Sequence, residues 1–241
     1  MTQQLTARPI RFTADIAAHR RWLQALGATV VTDAPGWTVL AVGSGRLALH
    51  DASEDRPSGL TTLGWEVADL DAWHEHTRDA VPGTLGEAPH GRAVSVTAPD
   101  GTEFTVDPAA DPEQPTPDDP ALAVLPIWVT QDVDGARGIL AAMGARGRLV
   151  ADSNVWTDYA LEGGGLAAVH DTDGEPEVEL AFEFDGDVET LIPVLRGVGV
   201  EALLIDETYG RTLQVPDPDS PGRTIRINEA QRDLYGYRRM D

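Results

Sequence analysis

Two tryptophans, two histidines and a group of glutamates carry most of the chemistry this sequence can offer. Trp37 and Trp156 each open a strand-like segment, and a His–Asp pair follows 13 and 14 residues later, His50–Asp51 and His170–Asp171. Flat aromatic rings stack on planar or cationic groups, so the two tryptophans read either as walls of a binding pocket or as core anchors. Tyr159, in the same strand as Trp156, adds to the pocket walls. Each histidine reads as a polar contact at a pocket rim or as a strand end capped by its neighbouring aspartate. Glu66 and Glu183 occupy matching positions, with Glu179 nearby. Carboxylates held close together shift one another's pKa and can transfer protons, and as a lining they favour cationic ligands. No serine sits in a nucleophile elbow, and Gly-Ser-Gly at 43–45 reads as a hairpin turn.

These residues recur because the chain is a duplication. WTVLAVGSGRLALHD, residues 37–51, returns as WTDYALEGGGLAAVHD, residues 156–171. Pro9 matches Pro126, Asp15 matches Asp132, Gly27 matches Gly144, Gly91 matches Gly210 and Asp100 matches Asp219, all at offsets of 117–119 residues. A long repeat occurring twice means two globular units, not a solenoid. The acidic, proline-rich stretch 109–120 is the seam. The expected organisation is a first domain over 7–108, a linker over 109–120, a second domain over 121–230 and a tail over 231–241 outside the repeat.

A fainter repeat lies within each half. A strand, an Asp that caps a helix (Asp15, Asp69, Asp132), a helix ending at a Gly (Gly27, Gly83, Gly144, Gly199) and short alternating strands recur four times. In one such strand Leu63, Trp65 and Val67 alternate with Thr62, Gly64 and Glu66. In its counterpart Leu180, Phe182 and Phe184 alternate with Glu179, Ala181 and Glu183. One face therefore belongs under a helix, with Trp65 in the core, and the other faces a concave surface.

Composition sets the limits. The chain has 241 residues, 41% apolar content and a net charge of −22. Such acidity argues against nucleic acid or anionic membrane as partner, because both require basic patches. No apolar run is long enough for a membrane span, and the N-terminal MTQQLTARPIRF lacks a signal-peptide core, so a cytoplasmic location is expected. There is no cysteine, and all 18 basic residues are arginine. Disulfides, thiolate metal sites and lysine chemistry are thereby excluded. The bias towards Ala, Gly, Arg, Pro and Asp is what a GC-rich bacterial genome produces.

The strand–Asp–helix–Gly openings RFTADIAAHRRWLQALG and WVTQDVDGARGILAAMG, the strands GWEVADLDAW and LAFEFDGDVE, and the closing turns APDGTEFTV and PDPDSPGRTIRI together resemble the vicinal oxygen chelate superfamily. That superfamily includes glyoxalases, bleomycin-resistance proteins and extradiol dioxygenases, and the resemblance spans residues 8–229. It implies an α+β fold of four βαβββ modules, forming two tandem domains with cup-shaped mixed sheets. It also implies three metal-ligand positions per cup, filled in the enzymes by His or Glu. Here they fall on Arg8, Thr62 and Thr105 in the first domain and Leu125, Glu179 and Arg226 in the second. Only Glu179 is a plausible ligand, since arginine cannot coordinate a cation and a stable site generally needs about three protein ligands.

No metal or cofactor is therefore expected. The resulting expectation is a metal-independent small-molecule binding protein, with antibiotic or metabolite sequestration as the role. Its ligand, cationic or aromatic, would contact Trp37, Trp156, Tyr159, Glu66, Glu179, Glu183, His50 and His170. The alternative is a lyase, isomerase or dioxygenase using a displaced metal or the cup carboxylates, and a third reading is a protein-interaction module with filled cups. A monomer pairing its own domains, or a weak dimer, is expected. His19, His74 and His76 read as solvated helix residues, and the ring at His90 answers to Tyr209.

Overall fold

The computed structural model describes residues 4–88, 90–109, 122–207 and 210–240. Nearly all of the segment 109–120, and Tyr209, lie outside them. The first module comprises β1 (Leu5–Ala7), β2 (Ile10–Thr13), α1 (Ile16–Ala25), β3 (Thr29–Ala34), β4 (Trp37–Ala41) and β5 (Arg46–Asp51). The second comprises β6 (Thr61–Thr62), β7 (Gly64–Val67), α2 (Leu70–Thr77), β8 (Gly83–Ala88), β9 (Gly91–Thr97) and β10 (Glu103–Pro108). The third comprises β11 (Leu122–Thr130), α3 (Val133–Ala142), β12 (Arg146–Ala151), β13 (Trp156–Ala160) and β14 (Leu166–Asp171). The fourth begins with β15 (Glu177–Phe184), passes through a 3-10 turn (Val188–Leu191) into α4 (Ile192–Gly197), and continues with β16 (Leu203–Glu207), β17 (Gly210–Pro216) and β18 (Thr224–Glu229). A last strand, β19 (Tyr237–Arg239), follows.

Local chemistry accounts for the module openings. Asp15, Asp69 and Asp132 each accept the backbone N–H of the third helical residue, from Ala18, Ala72 and Gly135, which satisfies a donor that has no partner within the helix. Gly27, Gly144 and Gly199 end their helices with φ of 94°, 102° and 80°, a region glycine enters without steric cost. Gly83 departs from this pattern. It starts β8, because α2 stops at Thr77.

In the second half the modules share one nine-stranded mixed sheet, ordered β16-β17-β18-β15-β11-β14-β13-β12-β19, with β11 pairing parallel to β14 and antiparallel to β15. In the first half the corresponding sheet divides at Pro9. There β1 joins β7 in the sheet β1-β7-β10-β9-β8, and β2 joins β5 in the sheet β3-β4-β5-β2-β6. The segment beyond the repeat does not fray: β19 pairs antiparallel with β12 and extends the second sheet by one strand.

The alternation read from sequence holds. Leu63, Trp65, Val67 and Phe182 are buried in one core cluster that also contains residues of both halves, among them Trp22 and Trp128. Trp22 on α1 meets Phe182 on β15 edge-on, with ring centroids 5.6 Å apart, so the apolar core runs across the join.

The join itself is reciprocal. The β4–β5 turn of the first half bonds to the start of β11: Ser44 N–H donates to the Leu122 carbonyl (2.9 Å), and Val124 N–H donates to the Ser44 carbonyl (3.0 Å). The β13–β14 turn of the second half answers on β1, where Ala7 N–H donates to the Gly164 carbonyl (3.0 Å) and Gly163 N–H to the Leu5 carbonyl (2.9 Å). Ser44 Oγ also accepts from Gly165 N–H at 2.8 Å. The glycine-rich turns that made the repeat visible are thus where the halves touch.

A second reciprocal pair lies at the module ends. Asp219, before β18, accepts from Thr13 Oγ1 (2.7 Å), Ser58 Oγ (2.6 Å), Arg11 Nε (3.1 Å) and the Ala14 N–H (3.1 Å) in the first half. Asp100, before β10, takes hydrogen bonds from Trp128 Nε1 (2.9 Å) and from Thr130 in the second half. Thr13 matches Thr130 and Arg11 matches Trp128 in the repeat, so each half lends one aspartate to the other's first strand. His19, expected on a solvated helix surface, is instead fully buried, its Nε2 at 2.8 Å from Asp219 Oδ2.

Candidate functional site

Each half encloses one cup. Cup 1, a cavity of about 870 Å³, is lined on one side by Ile10, Phe12, Trp37 and His50 and on the other by Thr62, His90, Ser95 and Thr105. Cup 2 is smaller, about 190 Å³, and is lined by Leu125, Ile127, Trp156, Asp158, His170, Glu179, Glu183 and Arg226. Gln231 and Tyr237 of the C-terminal segment also line cup 2, so β19 brings an extra side chain to its wall.

The duplicated Trp–His pairs are neighbours across strands. Trp37 pairs in register with His50 and Trp156 with His170, and their rings meet edge-on with centroids 5.6 Å and 5.9 Å apart. Both tryptophans are half-buried and both histidines exposed, which places them at the walls and rims of the cups. Tyr159 is a correction. Successive strand residues face opposite ways; Trp156 and Asp158 take the cup side of β13, so Tyr159 turns into the core, where it is 3% exposed.

Glu66 faces the cup side of its strand but is sealed beneath cup 1. Its two oxygens meet Arg8 Nε (2.8 Å) and Arg46 Nη1 (2.7 Å). Arg8 also pairs with Asp107, which accepts from His90 Nε2 (2.8 Å) and Thr105 Oγ1 (3.1 Å). Burial pushes the Glu66 carboxyl up, against the pull of the two guanidinium groups. Sequence patterning could not find Asp107, Arg46 or the role of His90, because their partners lie up to 99 residues away along the chain.

Cup 2 has its own network. Arg148 Nη1 and Nη2 hold Glu183 at 3.1 and 2.9 Å, and its Nε lies 3.3 Å from Asp158. Arg226 Nη2 holds Glu179 at 2.9 Å. Burial pushes the Asp158 carboxyl up, only partly offset by Arg148. A carboxyl whose folded pKa is raised adds stability below its unfolded value and loses it as pH rises through the folded value. At pH 7 the ionised Asp158 is therefore a cost to the fold. Asp158→Asn, which keeps an acceptor for Trp156 Nε1, is expected to equal or exceed the parent's stability at pH 7 by up to about 1 kcal/mol. The difference should close on titration to pH 4, measured by chemical denaturation.

The residues at the positions where the sequence resemblance implies metal ligands do not suit a metal. In cup 2 Leu125 has no donor atom, Arg226 is a cation, and Glu179 is already paired with that cation. In cup 1 Arg8 is a buried cation, accompanied by Thr62 and Thr105. Among the described residues, His19, Asp217 and Asp219 do bring metal-capable atoms within 4.8 Å of one another. They lie at the join, outside both cups, and Arg11 donates to both carboxylates (2.5 Å and 3.1 Å), filling the cation's place.

No family model and no curated protein matches the sequence. Solved structures do match its fold. A catechol 2,3-dioxygenase superposes with TM-score 0.61 at 16% identity, over 96% of this chain and 88% of the other. A Mn(II)-bound glyoxalase from Novosphingobium aromaticivorans gives 0.59 at 14% identity, over 96% and 83%. A 2,2',3-trihydroxybiphenyl 1,2-dioxygenase from Sphingomonas wittichii gives 0.62 at 14% identity, over 96% and 92%. Among the described residues, no helix is long and apolar enough to cross a membrane.

Proposed function

Taking the chain as a tandem protein with the vicinal oxygen chelate fold, we propose that it binds small molecules in its cups without a metal, in the manner of the sequestering proteins of that fold and not of its dioxygenases and glyoxalases. The observation that carries this reading is the Arg226–Glu179 ion pair, 2.9 Å across the cup wall beside Leu125. It places a fixed positive charge where the enzymes gather anionic or neutral donors. Cup 1, a cavity of about 870 Å³ with an aromatic wall and a few fixed polar groups, is of a size that suits a small ligand.

The test is elemental mass spectrometry after dialysis against mixed divalent cations, run on the parent chain and on the double variant Leu125→His/Arg226→Glu. The variant would assemble one His and two carboxylates around cup 2. The parent is expected to retain well under one metal per chain and the variant about one. Stoichiometric metal in the parent would overturn the reading.

A further inference from the structure

The two cups differ in what their polar groups leave unused. In cup 2 both arginines are committed, Arg148 to Asp158 and Glu183 and Arg226 to Glu179. In cup 1 two buried carboxylates are committed: Glu66 is held by two arginines, and Asp107 by Arg8, His90 and Thr105, while a third, Glu103, lines the cavity from an exposed position. Donors are left over beside it. Among the described residues Arg8 Nη1 has no hydrogen-bond partner, although Arg8 is only 4% exposed. Buried donors normally find an acceptor, and one left without is costly. Arg56, on the loop between β5 and β6, also lines cup 1 and makes no ion pair with any described residue.

Three rings connect these two cations. The Arg8 guanidinium lies 5.6 Å from the centre of Trp37, Trp37 meets His50, His50 meets Phe12 at 5.3 Å, and Arg56 lies 5.7 Å from the centre of Phe12. The result is an aromatic arc with a guanidinium at each end, set in the wall of an open cavity. A planar apolar body can lie along the arc, and an oxyanion supplies the acceptor that the guanidinium donors lack.

We propose that cup 1 is a site for an aromatic carboxylate, its ring against Trp37 and Phe12 and its oxyanion held by Arg56 at one end of the arc. The proposal rests on the metal-independent reading and reverses, for this cup, the cationic ligand expected from the glutamates. Glu66 is neutralised beneath cup 1 by Arg8 and Arg46.

The test is isothermal titration calorimetry of the full chain with 2-naphthoate and with 2-naphthylmethylammonium, the same ring with opposite charge. Naphthoate is expected to bind at one site and the ammonium compound at least about tenfold more weakly at that site. Trp37→Ala and Arg56→Gln should each weaken naphthoate binding by about tenfold, and Trp156→Ala should leave it unchanged. Both sensitive positions are half-buried or exposed, and circular dichroism of each variant verifies folding. No naphthoate binding at millimolar concentration, a preference for the ammonium compound, or naphthoate binding indifferent to Trp37 and Arg56 would overturn the proposal. None of these outcomes touches the metal-independent reading, which stands or falls on the elemental analysis.

Discussion

Replacing Asp219 by alanine is expected to cost about 3–5 kcal/mol of folding stability, the range found when one partner of a buried ion pair is removed. Its side chain is 1% exposed, and it accepts from Arg11, Thr13, Ser58, His19 and a backbone N–H. Truncation leaves Arg11, Thr13 and His19 buried around an empty position. Asp100 plays the matching part on the other side of the join with neutral donors, Trp128, Thr130 and Thr102, so Asp100→Ala should cost less, about 1–3 kcal/mol. Equilibrium urea denaturation of both variants gives the ranking, and equal losses would contradict the account.

The pH dependence follows from the same contacts. Burial alone would push the Asp219 carboxyl up, but the hydrogen bonds from His19, Ser58 and Thr13 outweigh it and hold the group far below the usual carboxylate range. A depressed folded pKa contributes stability above the unfolded value, about 3.9, and loses it as pH falls through the folded one. The gap between parent and Asp219→Ala should therefore be full at pH 6–7 and begin to shrink below about pH 4.

Gly45→Ala is the second large effect, expected to cost about 2–5 kcal/mol by summing the strain of a left-handed residue and an overpacked contact. Gly45 has φ +79°, and an added Cβ would stand 2.6 Å from Val124 Cγ1 and 2.8 Å from Gly165 Cα. Gly165 faces it with φ +80° and would bring its own Cβ to 2.6 Å from that of Ala7. These four residues come from both halves, so the substitution wedges the join apart. Gly101 separates the causes. It has φ +86° and nothing within 4 Å, so Gly101→Ala should show the backbone strain alone, about 1–2 kcal/mol. Thermal denaturation of the two variants measures the difference, and similar losses would mean that the contact at Gly45 is not tight.

Much of the fold was legible because its signals are local. An Asp two or three residues before a helical amide, a glycine where φ must be positive, and the period-two alternation of Leu63, Trp65 and Val67 each act over a few residues. Tyr159 was misplaced although the same parity rule would have put it in the core once Asp158 was assigned to the cup. Gly83 was misread because a glycine opening a strand looks like one closing a helix when the helix is short. His19 and the companions of Glu66 were beyond reach for another reason. His19 meets a residue 200 positions later, and no periodicity encodes such a meeting. Trp37, Trp156, His50 and His170, which line the two cavities, drew attention because duplication displayed them twice. Asp107 and Arg46 are central to cup 1 but stood out in no motif.

The reciprocal join has a consequence for how the cups vary. Two identical chains meeting through such contacts would form a two-fold symmetric pair, and every substitution in one cup would be copied in the other. Once both copies lie in one polypeptide, that coupling is gone. The glycine turns and the lent aspartates keep their correspondence because each serves the opposite half, whereas Arg8 and Leu125, or Thr105 and Arg226, are free to diverge. The protein is a heterodimer written as one gene product, with its symmetry preserved at the seam and given up in the pockets.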